Sequence, residues 1–345
     1  MFTTTLLDPI PVRSDLTVAF EADLGRRGRA STTQTKYLQV VRELERRAGS
    51  RDLTELTSGD VDAILAAWEA EVEHIRGRPV SRATVRSWIC ALRAFYAWLD
   101  RLGLLVDAAG QLRPNPMRQI LPPIVEQRPN DRLKAPEDYA LLSGAKRPEE
   151  RIIIWLLRWT GLRIGEAVKL KIGDVDLTAG QECINVRRSK TSAGQRVIPI
   201  VPELEPELQA WLALMKHRGF QEPESPLLAT RRGTAMKASY VWRVVKRVAY
   251  RAGVRVIPCT CGTASVYRHA FGCPRTRSGE NCSTISPHSL RRTFASDLLN
   301  RGVRLEVVSK LLGHSSVGIT QKAYAQLLDS TARRELLRAL GHGAD

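Results

Sequence analysis

The sequence predicts a mostly helical protein with a small β-hairpin or sheet, divided into two domains. Three observations carry this expectation. Between residues 15 and 105, apolar residues recur at helical spacing without a strand-like run. Six of the 18 prolines crowd into residues 113–136, a density that blocks helices and leaves an extended connection. Beyond that linker, helical patterns resume around two short strand-like stretches at residues 182–188 and 195–201.

Residues 1–13 read as extended or disordered, and residues 14–112 as a helical domain. Ser31 or Thr32 can cap a helix bearing Tyr37, Val40, Val41 and Leu44. Thr57 or Ser58 can cap another with Val61, Ile64, Leu65 and Trp68. Ser81 can cap a longer one with Val85, Trp88, Ile89, Leu92, Phe95, Tyr96 and Leu99. Arg82, Arg86 and Arg93 lie on a stripe beside that last apolar face, suited to solvent or to phosphate.

The second domain is expected over residues 137–345. A helix ends near Thr160, Gly161 breaks the chain, and Arg163 then stands at the start of a new helix. The two strand-like stretches flank a turn that carries Lys190. Residues 231–255 contain Arg231, Arg232, Lys237, Arg243, Lys246, Arg247, Arg251 and Arg255 with no acid, and four valines give this segment a buried side. A one-sign helix repels itself unless a polyanion offsets it, so Arg243, Lys246 and Arg247 read as phosphate contacts.

Composition agrees with such a partner. The chain has 345 residues, enough for two cores. Its net charge is +17 and its pI about 10.1. That excess points to a polyanion, most often nucleic acid, against the plainer alternative of a basic surface. No apolar run is long enough to cross a membrane, and the N-terminus lacks the pattern of a signal peptide. A cytoplasmic location is therefore expected. The cysteines are then poor disulfide candidates, and Cys90 and Cys183 read as small core residues.

The stretch SPHSLRRTFASDLLNRGVRLEVVSKLLGHSSVGITQKAYAQ, residues 286–326, concentrates the chemistry. Ser286 is a good N-cap and Pro287 a good first helical residue. Leu290, Phe294 and Leu298 repeat every four residues and mark a core face, with His288 and Arg291 three apart and off that face. Gly313 stops a second helix, His314 follows it, and Tyr324 lies ten residues on. Together with TGLRIGE around Arg163, this order of residues resembles the active site of the tyrosine recombinase (phage integrase) family. The likeness covers roughly residues 14–345 and is specific, because several residues recur at several spacings.

The resemblance implies an α+β catalytic domain of integrase type, preceded by a helical core-binding domain that clamps DNA. It implies Tyr324 as nucleophile, Arg163 and Arg291 as phosphate clamps, and His288 and His314 as hydrogen-bond donors to that phosphate. It implies Lys190 as the acid for the leaving 5′-oxygen and Glu166 as a supporting residue. It further implies double-stranded DNA as partner, a homotetramer assembled on it, accessory DNA-bending or directionality proteins, and no cofactor for the chemistry. The residues alone show only that these types occur in the required order. A relaxing topoisomerase of the same chemistry fits them less well, and a non-catalytic DNA-binding regulator leaves the six-residue set unexplained.

The chain departs from the family at residues 257–285, a cysteine-rich insertion. Cys259, Cys261, Cys273 and Cys282, with His269 as an alternate ligand, cluster in a segment too short for its own core, which a structural zinc would stabilise, although the spacing is not a standard one: Cys-x-Cys replaces the usual Cys-x-x-Cys and no second close pair exists. Reduced thiols on a disordered insertion, or a redox disulfide, are the competing readings.

Overall fold

The structure is a computed structural model that describes residues 16–107, 109–125, 132–187, 195–258, 281–314, 316–321 and 324. The chain divides into two compact units, residues 1–127 and 128–345. No helix among the described residues is long and apolar enough to cross a membrane.

The first unit packs α1 (Leu16–Arg26), α2 (Ser31–Ala48), α3 (Ser58–Arg76) and α4 (Arg82–Arg101) around one apolar core. Each helix turns an apolar stripe inward: Phe20 and Leu24 from α1, Val41 and Leu44 from α2, Val61 and Leu65 from α3, Phe95 and Leu99 from α4. Phe20 meets Phe95 edge-to-face at 5.3 Å. Thr57 caps α3 by accepting from Asp60 N, while the Asp60 carboxylate accepts from Thr57 N at 2.8 Å. Ser81 caps α4. Ser31 and Thr32 do not cap α2, which begins at Ser31 behind Ala30 and has no side-chain cap. Cys90 is exposed on α4 and Cys183 only half-buried, so neither is the core residue their patterns indicated.

The second unit is built on α6 (Pro148–Thr160). Ile152, Ile153, Ile154, Leu156 and Leu157 are all buried, so this helix is enclosed on most sides. Around it lie α5 (Ala135–Gly144), the single turn α7 (Ile164–Ala167), α8 (Glu205–His217) and α9 (Ala238–Arg251). Then follow α10 (Pro287–Asn300) and α11 (Leu305–Leu312). Strands β1 (Val175–Asp176), β2 (Cys183–Val186) and β3 (Arg196–Pro199) form an antiparallel sheet in that order. Arg158 near the end of α6 is buried. It donates to Asp138 of α5 at 2.8 Å and to Asp297 of α10, binding three helices together.

On either side of residues 259–280 lie two strands that the sequence did not announce. β4 (Val256–Pro258) and β5 (Asn281–Ser283) are antiparallel, with Val256 opposite Ser283. Ser283 Oγ donates to Val254 O at 2.7 Å and accepts from Ile285 N. Cys259, Cys261, Cys273 and His269 lie outside the described residues, and of Cys282 only the backbone is described. No group of three or more His, Cys, Asp or Glu able to hold a metal exists among the described residues, so the zinc reading gains no support there.

Gly161 closes α6 in the left-handed region, at φ 61°. A Cβ placed there would stand 2.4 Å from Phe294 Cδ1 of α10. Gly161→Ala is expected to cost at least about 1–2 kcal/mol from the backbone alone, before the clash with Phe294 is counted. Calorimetry should show the melting midpoint lowered by at least about 2–4 °C, and an unchanged midpoint would contradict this packing.

Candidate active site

The site is organised by the C-terminal end of α11, whose last carbonyls have no partner within their own helix. Gly313 ends α11 in the left-handed region, at φ 64°. Arg163 is the N-cap of α7, where its main-chain N–H donates to Glu166 Oε2 at 3.0 Å. Its guanidinium donates to Glu166 Oε1 at 2.8 Å and to Gly313 O at 3.2 and 3.3 Å. Arg291 reaches the same helix end from α10, whose start is fixed by the Ser286 cap. Arg291 is only 5% exposed. It donates to Leu312 O at 2.6 Å and to Gly161 O at 2.7 Å. Burial and the nearby Arg163 cation lower its guanidinium to about 9, which leaves it charged at neutral pH.

His314 follows directly. Its Nε2 lies 3.1 Å from Arg291 Nη2 and its Nδ1 lies 2.7 Å from Thr320 Oγ1. A guanidinium only donates, so Nε2 is the acceptor and the imidazole is neutral, with its proton on Nδ1 facing Thr320. Burial and the cations of Arg291 and Arg163 hold this histidine down, at about 4. His314 thus helps to orient Arg291. His288 is exposed on the first turn of α10, and it too lies below its usual value through partial desolvation and the cations of Arg291, Arg292 and Arg163. It is therefore neutral near pH 7 and able to take a proton.

Residues 317–321 are helical, as is Tyr324. Tyr324 is 4% exposed and packs with Phe294, Ala295, Leu299, Val308 and Leu312. Burial raises its phenol above the ordinary value, opposed by Arg291 and Arg292.

Two residues of the site were not singled out from sequence. Arg196 begins β3 yet is buried. It donates to Glu166 Oε2 at 3.0 Å and to Leu311 O at 2.5 Å. Glu166 is thereby shared between two arginines. Burial pushes its carboxyl up, but Arg196 and Arg163 outweigh that and hold it below the usual carboxylate range. The signal for Arg196 was its register: it shares the inward face of β3 with Ile198, and a cation there needs a partner. Thr320, fully buried beside His314, lies one turn before Tyr324 on the same helical spacing.

Lys190 lies outside the described residues. The cations assigned to DNA are partly engaged within the protein. Lys246 donates to Ser283 O at 2.6 Å, and Arg247 pairs at 3.3 Å with the buried Glu150 of α6. Arg251 also pairs with Glu150, at 2.6 Å, so the acid missing from the α9 segment comes from another helix. Arg243 lies over the Tyr240 ring. In the first unit, Arg82 and Arg86 are exposed, whereas Arg93 donates to Ile120 O at 2.7 Å.

The family model of the phage integrase family matches residues 133–331, and that of the phage integrase N-terminal SAM-like domain matches residues 18–103. This chain belongs to the phage integrase family. Its relatives include tyrosine recombinase XerC of Mycobacterium sp. (strain JLS), 30% identical over 301 residues, covering 86% of this chain and 88% of the relative. Tyrosine recombinase XerA of Thermococcus kodakarensis is 30% identical over 250 residues, covering 72% of each chain. Among solved structures, the Tn1549 transposon integrase in complex with transposon right end DNA gives a TM-score of 0.65 at 20% identity, covering 94% of this chain and 98% of that one. A lambda integrase tetramer bound to a Holliday junction gives 0.60 at 19%, covering 88% and 77%. At such identities these structures establish the shared integrase fold, mostly helical with a small antiparallel sheet.

The depressed histidine has a sign that can be checked. Unfolded His314 binds a proton below about 6.5, whereas the folded one resists until about 4. The unfolded state therefore gains protons first, and stability contributed by His314 is present above 6.5 and lost as pH falls toward 4. Urea unfolding at pH 7 and pH 5 should show a smaller acid-induced loss in His314→Gln than in the parent. An equal loss would contradict the neutral, Arg291-bonded imidazole.

Proposed function

We propose that Arg163, Lys190, His288, Arg291, His314 and Tyr324 form the active site of a site-specific DNA recombinase acting on double-stranded DNA. The observation that supports this best is the meeting of Arg163 and Arg291 at the carbonyl end of α11, beside His314. Two guanidiniums held this way match the two non-bridging oxygens of a phosphodiester, where charge builds in the transition state.

In the reaction, Tyr324 Oη attacks phosphorus and the bond from phosphorus to the 5′-oxygen breaks. The phenolic proton passes to His288, and the departing 5′-oxygen takes a proton from Lys190. The product is a 3′-phosphotyrosyl link and a free 5′-hydroxyl. A 5′-hydroxyl from another strand reverses the step, so one phosphodiester replaces another and no ATP is consumed. The charge-neutralising groups are side chains, and the chemistry requires no cofactor. Exchange of two duplexes uses four such sites, in keeping with a tetramer assembled on DNA in the cytoplasm. Arg82 and Arg86, exposed on α4 of the first unit, are suited to meet phosphates.

Tyr324→Phe is expected to abolish the covalent protein–DNA adduct and leave site binding within about threefold, since only the nucleophilic oxygen is removed. Denaturing electrophoresis of a suicide-substrate reaction reads the adduct and a filter assay reads binding. An adduct formed by the Phe protein would remove Tyr324 from the mechanism.

A further inference from the structure

Arg196 is the third guanidinium at the end of α11. It is buried, sits on β3, and faces Val186 of β2 across the antiparallel pair. Its Nε donates to Leu311 O and its Nη2 to Glu166 Oε2. The remaining Glu166 oxygen accepts from the Arg163 guanidinium, and the next two α11 carbonyls accept from Arg291 and Arg163. One side chain thus fixes both partners of Arg163: the carboxylate that orients it and the helix end that receives it.

We propose that Arg196 is a positioning residue for strand cleavage, holding Arg163 in place through Glu166 and the α11 carbonyl end. This rests on the recombinase reading above. Arg196 does not touch the phosphate. Without its fork, Glu166 loses its tie to β3, and the Arg163 guanidinium that it orients is held less firmly over the phosphate. The geometry also explains why arginine is used. A lysine ammonium can satisfy Glu166 or Leu311 O, but it lacks the planar fork that reaches both.

The test uses a suicide duplex built on the sequence where the protein attaches covalently to genomic DNA. It is made once with a normal scissile phosphate and once with an uncharged methylphosphonate there. Arg196→Lys and Arg196→Met are compared with the parent for adduct formation, DNA binding and melting temperature. Arg196→Lys keeps a charge beside Glu166, so it carries the test if Arg196→Met does not fold. The expected result is a loss in cleavage rate of about tenfold or more on the phosphodiester, as for a misplaced catalytic group. On the methylphosphonate, where Arg163 has no charge to neutralise, the loss shrinks to about threefold or less. Arg196→Lys combined with Arg163→Ala cleaves no more slowly than Arg163→Ala alone, because both act through one group. Wild-type rates in Arg196→Lys, equal losses on both substrates, or additive losses in the double variant would each overturn the positioning role. Absence of any adduct with the parent protein would instead sink the recombinase reading, and this proposal with it.

Discussion

Three arginines share the carbonyl end of one short helix, and the second unit is arranged to keep them there. Three guanidiniums so close together repel one another, and burial adds a cost for Arg196 and Arg291. What offsets this is the run of carbonyls at the end of α11. Leu311 O receives Arg196, Leu312 O receives Arg291, and Gly313 O receives Arg163. The partial negative charge of a helix C-terminus favours cations there, and Glu166 supplies a full one. The positive site is thus stable before any phosphate arrives, which is the condition for electrostatic catalysis without reorganisation.

The same arrangement sets the protonation states around it. His314 stays neutral because it is partly buried and its neighbours are cations, and its bonds to Arg291 and Thr320 fix which nitrogen carries the proton. His288 is neutral and exposed on the helix that bears Arg291, so it is ready to accept a proton. Tyr324 sits in an apolar cluster, and burial there raises its phenol above the ordinary value, so the hydroxyl keeps its proton at neutral pH.

Much of this was legible in the sequence. Serine and threonine caps on α3, α4 and α10, glycines at the ends of α6 and α11 and apolar residues at helical spacing placed these helices, because those signals are local. The same locality put Arg163 at a helix start and Arg291 on α10, three residues after His288. What was not legible depended on contacts between distant segments. Arg158 and Arg196 look like surface cations until the fold surrounds them, and the acid that answers α9 is Glu150, roughly a hundred residues earlier. The hairpin β4–β5 was hidden because its strands are three residues each and lie apart in the chain. The bond from Arg291 to His314 Nε2 was not legible either, since only the fold brings the two together.

The most direct measurement is a crystal structure of the protein with an uncleaved DNA duplex. The scissile phosphate should lie with its non-bridging oxygens about 2.7–3.1 Å from the guanidiniums of Arg163 and Arg291. Arg291 should still hold Gly161 O and Leu312 O, and Arg163 should still hold Glu166. A phosphate bound elsewhere, or arginines that abandon the end of α11 to reach it, would contradict a clamp assembled in advance by that helix.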